Sequence, residues 1–204
     1  MKFCSSCGQA LVSAVPPGED RARACCPACG AVHYQNPKTV VGCLVEHEDR
    51  LLLCRRGIEP ARGRWTLPAG FLELEESLPE GAARETREEA CAEVEVLAPH
   101  AVFDLLHIGQ IYTLFRARLL RPEVAAGPES LEVRWFERSE LPFGELAFPV
   151  IHFALERYLD DQRSGGPRLH QGVLRWNGQG SRFDAHNYAL EGYRAWPLAR
   201  PPLT

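Results

Sequence analysis

The chain reads as an α+β protein, an α/β/α sandwich with a small cysteine-rich segment ahead of it. Three observations carry this reading. Apolar, β-branched runs of strand length recur between residues 39 and 136. Two segments have helical character, a capped, glutamate-rich one after Ser77 and an amphipathic one from Phe148 to Leu159. Two Cys-x2-Cys pairs stand ahead of all of these, at Cys4/Cys7 and Cys26/Cys29.

The cysteine pairs are separated by 18 residues, the spacing of a two-knuckle zinc site. Gly8 and Gly30 follow the pairs, where the backbone must turn around the thiolates. Four thiolates make a closed tetrahedral shell, so Cys4, Cys7, Cys26 and Cys29 are expected to hold a structural Zn²⁺ with no open position for chemistry. So short a segment buries too little surface to fold alone, and the metal supplies the folding energy. Cys25 is a spare neighbour, but the CPACG spacing favours Cys26. The segment's Lys2, Arg21 and Arg23 are set against Glu19 and Asp20, a poor phosphate-binding face. Scaffolding or dimer packing is expected of it rather than nucleic-acid binding.

Tyr34 to Pro37 is a joint, because proline favours extended or turn conformations before it. Residues 39–47 read as a buried strand, Glu48-Asp49 as a turn and residues 50–56 as the returning strand of a hairpin. Residues 57–64 form a loop, and Trp65-Thr66-Leu67-Pro68 leads to a glycine turn at Gly70. Ser77 and Glu80 make a capping box, with Pro79 tolerated in the first turn. Strands follow at 94–103, at 110–119 and near Val133–Phe136, and then the amphipathic helix. Ser164-Gly165-Gly166-Pro167 is a breaker cluster. The expected domains are a zinc ribbon over 1–34, a catalytic domain over 35–162 and a C-terminal extension over 163–204. The extension, with Trp176, Phe183, Tyr188, Tyr193 and Trp196, is too aromatic for a disordered linker. It is expected to fold over the main body or across a partner subunit. Cys43, Cys54 and Cys91 read as small core residues.

With 45% hydrophobic and 25% charged residues, the composition is ordinary for a globular protein. The net charge of −4 argues against strong nonspecific binding to nucleic acid. The charge is uneven: residues 163–204 hold six arginines against Asp184 and Glu191, a net +4 that leaves −8 for the remainder. No apolar run approaches the roughly 18 residues of a membrane span. The opening MKFCSSCGQA has no signal or transit character, so a cytoplasmic protein with reduced thiols is expected.

Between Gly70 and Glu89 the chain reads Gly-x5-Glu-x7-Arg-Glu-x2-Glu-Glu. At ordinary residue usage, a chance match in such a chain is on the order of 1 in 10⁵. Residues at i, i+3 and i+4 share a helix face, so Glu85 projects beside Glu88 and Glu89. Like charges placed so closely cost a few tenths of a kcal/mol per pair, and a sequence selected for stability alone would alternate signs. Carboxylates, completed by waters and substrate phosphates, are what Mg²⁺ prefers. A solvated glutamate-rich helix face would not need the Pro68-Ala69-Gly70 turn or the spaced Glu76 and Arg84. Arg84 reads as a structural partner of Glu76 that ties loop to helix.

This segment resembles the Nudix box, the signature of hydrolases acting on a nucleoside diphosphate linked to another moiety. The likeness extends over residues 3–161. The order of zinc ribbon, YQNPK, VVGCLVEH, LLLCRR, WTLPAGFLE and GPESLE resembles plant-type FAD/ADP-ribose pyrophosphatases and their bacterial relatives. The resemblance implies a Nudix-type sandwich. The Ala69 carbonyl, Glu85, Glu88 and Glu89 would then hold Mg²⁺ or Mn²⁺, and water would attack a bridging diphosphate. FAD would give FMN and AMP, and ADP-ribose would give AMP and ribose 5-phosphate. The general base is open among Glu85, Glu89 and Glu132. A small nucleotide substrate and a homodimer are expected, with no membrane and no nucleic-acid partner.

On the substrate side the candidates are Arg55, Trp65 and Glu73. Strand alternation sends Arg55 and Arg56 to opposite faces, so one of them serves, and Arg55 is favoured. Trp65 and Tyr112 are placed to stack on a ring or to pack in the core. Glu129 and Glu132 are the extra carboxylates after the box. Three positions depart from the family pattern: Cys91 and Glu75 stand where glycine is usual, and Thr86 where an aliphatic residue is. Two rival readings remain. One is an NADH pyrophosphatase, although the SQPWPFPxS-type run of that group is absent. The other is a nucleotide-sensing module without catalysis, although such modules commonly lose the box glutamates kept here.

Overall fold

The computed structural model describes residues 1–198; residues 199–204, which include Arg200 of the cationic extension, lie outside it. The chain forms two compact units, Met1–Pro37 and Lys38 onward. In the first, β1 (Val12–Ala14), β2 (Arg23–Cys25) and β3 (Val32–His33) form an antiparallel sheet in that order. The two cysteine turns repeat one geometry. Gly8 N–H donates to the Cys4 carbonyl at 2.9 Å, and Gly30 N–H to the Cys26 carbonyl at 3.0 Å. Both glycines are left-handed, at φ 73° and 74°, which a side chain would strain.

The second unit is built on one mixed sheet. Its strands are β4 (Lys38–His47), β5 (Arg50–Arg56), β6 (Trp65–Thr66), β7 (Ala69–Phe71), β8 (Val94–Leu105), β9 (Gln110–Leu119), β10 (Ser130–Glu137), β11 (Arg168–Trp176) and β12 (Tyr188–Pro197). The order is β10-β5-β4-β9-β8-β11-β12, with β6 on β5 and β7 on β4. The expected hairpin forms, and Glu48 and Asp49 turn it with both φ angles positive, as the right-handed twist of its strands favours. Its strands pair only at the turn end, Glu46 with Leu51 and His47 with Arg50. This leaves Val40–Gly42 of β4 to pair with β7 instead.

Alternation along the strands divides the core in two. Val40, Leu44, Leu51, Leu53 and Leu114 face α2 (Pro149–Ser164), packing on Val150, Ile151, Ala154, Leu155 and Tyr158. Val41, Cys43, Val45, Leu52 and Cys54 face the other way, toward Ala82 and Ala90 of α1 (Leu78–Ala90). The period of two thus gives each helix its own apolar face and makes the α/β/α layers. Cys43 and Cys54 are core residues as expected, but Cys91 is exposed. It follows the last turn of α1, outside the sheet. Among the described residues, no helix is long and apolar enough to cross a membrane.

The C-terminal segment continues the sheet. Strand β11 lies parallel to β8, pairing His170–Val173 with Ala101–Asp104, and β12 returns antiparallel to it. Asp161, near the end of α2, is the anchor. Its carboxylate accepts from Arg116, from the Arg168 side chain at 2.7 Å and backbone at 3.1 Å, and lies 3.1 Å from His170 Nε2. Burial alone would push this carboxyl up, but the hydrogen bonds from Arg168 and His170 outweigh it and hold it below the usual range. Removing one partner of a buried charge cluster strands the others, at a cost of about 3 kcal/mol or more. Asp161→Ala is therefore expected to lower unfolding stability in urea by about that amount. A loss below about 0.5 kcal/mol would mean that the cluster is solvated.

Candidate active site

Helix α1 begins as the sequence suggests. Ser77 accepts from Glu80 N–H, Glu80 accepts from Ser77 N–H at 2.8 Å, and Pro79 sits in the first turn. The next turns bring Glu85 and Glu89 against the backbone of β7. Glu89 accepts from Ala69 N–H at 3.1 Å. A Cβ on Gly70 would lie 2.3 Å from the Glu85 carboxylate, so the missing side chain is what lets that carboxylate rest where it does. Gly42, opposite Ala69 in the β4–β7 pairing, permits a close approach of its own, since a Cβ there would meet Ala69 at 2.4 Å.

Arg84 gathers the acids. It binds Glu76 through two nitrogens at 2.7 and 2.9 Å, Glu85 at 2.7 Å, Glu88 at 3.2 Å and the Phe71 carbonyl at 3.0 Å. The guanidinium pulls the Glu76 carboxyl down to about 2. Glu85 goes the other way: burial raises it, Arg84 offsets part of this, and Glu88 and Glu129 add repulsion. Glu89, only 9% exposed, is pushed up to about 7 by burial, against the pull of the Ala69 N–H. Such a site gains most from a cation of high charge density.

Glu85, Glu88 and Glu89 line a cavity of about 840 Å³, together with Glu59, Glu73 and Glu129. Ile58, Tyr112, Phe148, Phe183 and Tyr188 give the same cavity an apolar and aromatic lining. Arg56 and Arg182 are its cations apart from Arg84. Three expected residues lie elsewhere. Arg55 faces away from the cavity, donating to the Gly63 carbonyl at 2.9 Å and pairing with Glu132 at 3.6 Å. Glu132 stands opposite it in the β10–β5 ladder, so both belong to a strand-edge ion pair. Trp65 is buried, edge-on to Phe136 at 4.9 Å. Alternation was the right argument for the two arginines, but Arg56 is the one that enters. Arg182, Phe183 and Tyr188 come from the C-terminal hairpin; the sequence marked that extension as aromatic and cationic but did not place these residues at the cavity.

Two departures from the family pattern share one cause. Cys91 ends α1 at φ 48° and Glu75 sits in the loop at φ 68°, both left-handed. Glycine adopts this conformation freely, whereas other residues are strained in it. Thr86 is accommodated differently, its hydroxyl donating to the Ala82 carbonyl at 2.8 Å inside the helix.

The zinc ligands converge in the first unit, with all four Sγ atoms within 4.8 Å of one another. Cys4 and Cys29 are 3.7 Å apart, and Cys7 and Cys26 are 3.4 Å apart. A tetrahedral ion with Zn–S bonds of about 2.3 Å sets its sulfurs roughly 3.8 Å apart, so the four fit a structural Zn²⁺. His33 Nε2 lies 3.3 Å from Cys4 Sγ and is the main cause that draws this thiol down to about 5, favouring the thiolate.

Comparison with known proteins agrees with this geometry. Residues 2–35 match the Nudix N-terminal zinc-ribbon model, and residues 36–155 match the Nudix domain. The chain belongs to the Nudix hydrolase family. A Nudix hydrolase of Nitrosomonas europaea is 51% identical, with a TM-score of 0.82 over 85% of this chain and 98% of that one. The NAD-capped RNA hydrolase NudC of Stutzerimonas stutzeri is 33% identical over 81% of this chain, which spans 58% of that relative. An ADP-ribose pyrophosphatase of Methanocaldococcus jannaschii is 29% identical over 56% of this chain and 69% of that protein. Nudix hydrolases use Mg²⁺ or Mn²⁺.

Two stability measurements follow from this site. Folded Glu89 holds its proton up to about pH 7, against an ordinary value of 4.5. In metal-free protein its contribution therefore favours folding below about pH 4.5 and is lost as pH rises through about 7. Glu89→Gln keeps an acceptor for Ala69 N–H without the charge. Urea unfolding at pH 8 should show a gain on the order of 2 kcal/mol, vanishing near pH 4. A difference independent of pH would contradict the buried-charge account. Cys91→Gly should raise stability by about 1 kcal/mol by relieving the left-handed cap; a loss would show that the thiol makes a contact of its own.

Proposed function

We propose that the chain is a Mg²⁺- or Mn²⁺-dependent pyrophosphatase. Its substrate is a nucleoside diphosphate linked to another moiety, with ADP-ribose and FAD foremost. One observation carries the reading: Glu85, Glu88 and Glu89 converge with the Ala69–Gly70 backbone in a cavity that also has aromatic lining. A volume of about 840 Å³ suits a dinucleotide, near the top of the range of about 300–1,000 Å³ for ligand pockets.

The Ala69 carbonyl, Glu85, Glu88 and Glu89 would hold the cations. When bound, these neutralise the diphosphate and lower the pKa of the attacking water. The chain's own residues do the rest. Arg84 is committed to Glu76, Glu85 and Glu88, so it positions the carboxylates rather than the substrate. Arg56 presents the cation for a phosphate oxygen. Glu129, whose backbone carbonyl is fixed by Gly57 N–H at 2.7 Å, brings the further carboxylate that was expected of Glu132. ADP-ribose would yield AMP and ribose 5-phosphate, and FAD would yield FMN and AMP.

A second reading, hydrolysis of NADH, is favoured by the NudC relative, whose similarity covers 81% of this chain. Parallel assays of AMP release from ADP-ribose, FAD and NADH decide between the two. Turnover is expected to require Mg²⁺ or Mn²⁺ and to fall at least about a hundredfold in Glu85→Gln and in Glu89→Gln. Arg56→Ala is expected to raise KM about tenfold, while Arg55→Ala stays within about twofold. Full activity in Glu89→Gln would refute the metal assignment.

A further inference from the structure

The extension's role is open after the site is described, and the cavity supplies an answer. Residues 177–187 join β11 to β12 and bring Arg182 and Phe183 into the lining of the cavity, with Tyr188 at the start of β12. We propose that this loop binds the nucleobase of the substrate's nucleoside monophosphate arm, with Phe183 as the stacking surface. The inference rests on the pyrophosphatase reading for the phosphate end alone.

The loop is built rather than loose. Trp176 Nε1 donates to the Gln179 carbonyl at 3.1 Å, Asn187 Nδ2 donates to the Ser181 carbonyl at 3.0 Å, and Asp184 accepts from His186 N–H at 2.9 Å. The Tyr188 hydroxyl donates to the Arg182 carbonyl at 3.0 Å and lies 3.0 Å from His107 Nε2, which ties the loop to the end of β8. The Arg182 guanidinium rests on the Trp176 ring at 4.5 Å, fixed by cation–π attraction. With its surroundings held, Phe183 stays 41% exposed. Its ring centroid lies 6.3 Å from that of Phe148, which carries Arg56 at 4.9 Å.

An exposed aromatic ring in a cavity that also holds a cluster of carboxylates is suited to a molecule with a phosphate part and a flat part. A diphosphate belongs beside the carboxylates through the divalent cations they would hold. A flat π-system belongs on Phe183, because base–aromatic stacking is favourable for every base and needs no particular hydrogen bond.

The test is calorimetric titration of the full-length, Mn²⁺-loaded protein with AMP and with ribose 5-phosphate. Phe183→Ala and Phe183→Leu are compared with wild type. Leucine restores apolar bulk without a ring, so it separates stacking from simple packing. The expected result is AMP affinity about tenfold weaker in both variants, with ribose 5-phosphate affinity unaltered. Unchanged AMP affinity in both, recovery by leucine, or no AMP binding by wild type would each overturn the proposal. Because no turnover is involved, a wild type that binds AMP but cleaves nothing would defeat the catalytic reading and leave this one standing.

Discussion

Three carboxylates on one face of a helix repel one another, and two of them are partly removed from water. Arg84 is what makes that arrangement tenable. Its planar fork meets Glu76, Glu85, Glu88 and the Phe71 carbonyl at once, so one cation balances the acids and locks the loop to the helix. A lysine, with a compact ammonium, has no geometry for four partners in different directions. With Arg84 in place, Glu85 can lie over Gly70 and Glu89 can reach Ala69 N–H.

The sheet turns this local clamp into a cavity. Because β4 pairs with β5 only at their turn, its other end is left for β7, and the box backbone becomes part of the sheet. Strand alternation puts α1 on one face and α2 on the other, and the cavity is lined from both sides by box and sheet residues, Phe148 and the C-terminal loop. Asp161 completes the frame, since its cluster with Arg116, Arg168 and His170 fixes the hairpin that carries Phe183. Binding chemistry at one end thus depends on buried charge pairing at the other.

What was legible in the sequence was local. The capping box at Ser77 and Glu80, the zinc knuckles and the Glu48-Asp49 turn each sit within a few residues, and each needs only neighbours along the chain to form. The pairing of Glu76 with Arg84 was legible too, because loop and helix are contiguous. The errors are all questions of which face, or of distant contacts. Alternation separates Arg55 from Arg56 but cannot say which face has the cavity. Trp65 looks like a stacking platform until β10 brings Phe136 against it. Cys91 reads as apolar core until the helix is seen to end there in a left-handed residue. The wall made by Arg182 and Phe183 depends on β11 pairing with β8, strands separated by some seventy residues, and no local pattern announces it.

The central claim is that the carboxylate face of α1 exists to hold divalent cations against the β7 backbone. Anomalous diffraction from crystals of the protein grown with Mn²⁺ and AMP tests it most directly. The account predicts anomalous peaks bonded to the carboxylates of Glu85 and Glu89 and to the Ala69 carbonyl, and no such peaks in the Glu85→Gln, Glu89→Gln double variant. Manganese bound elsewhere in the cavity, or bound equally in the double variant, would contradict it.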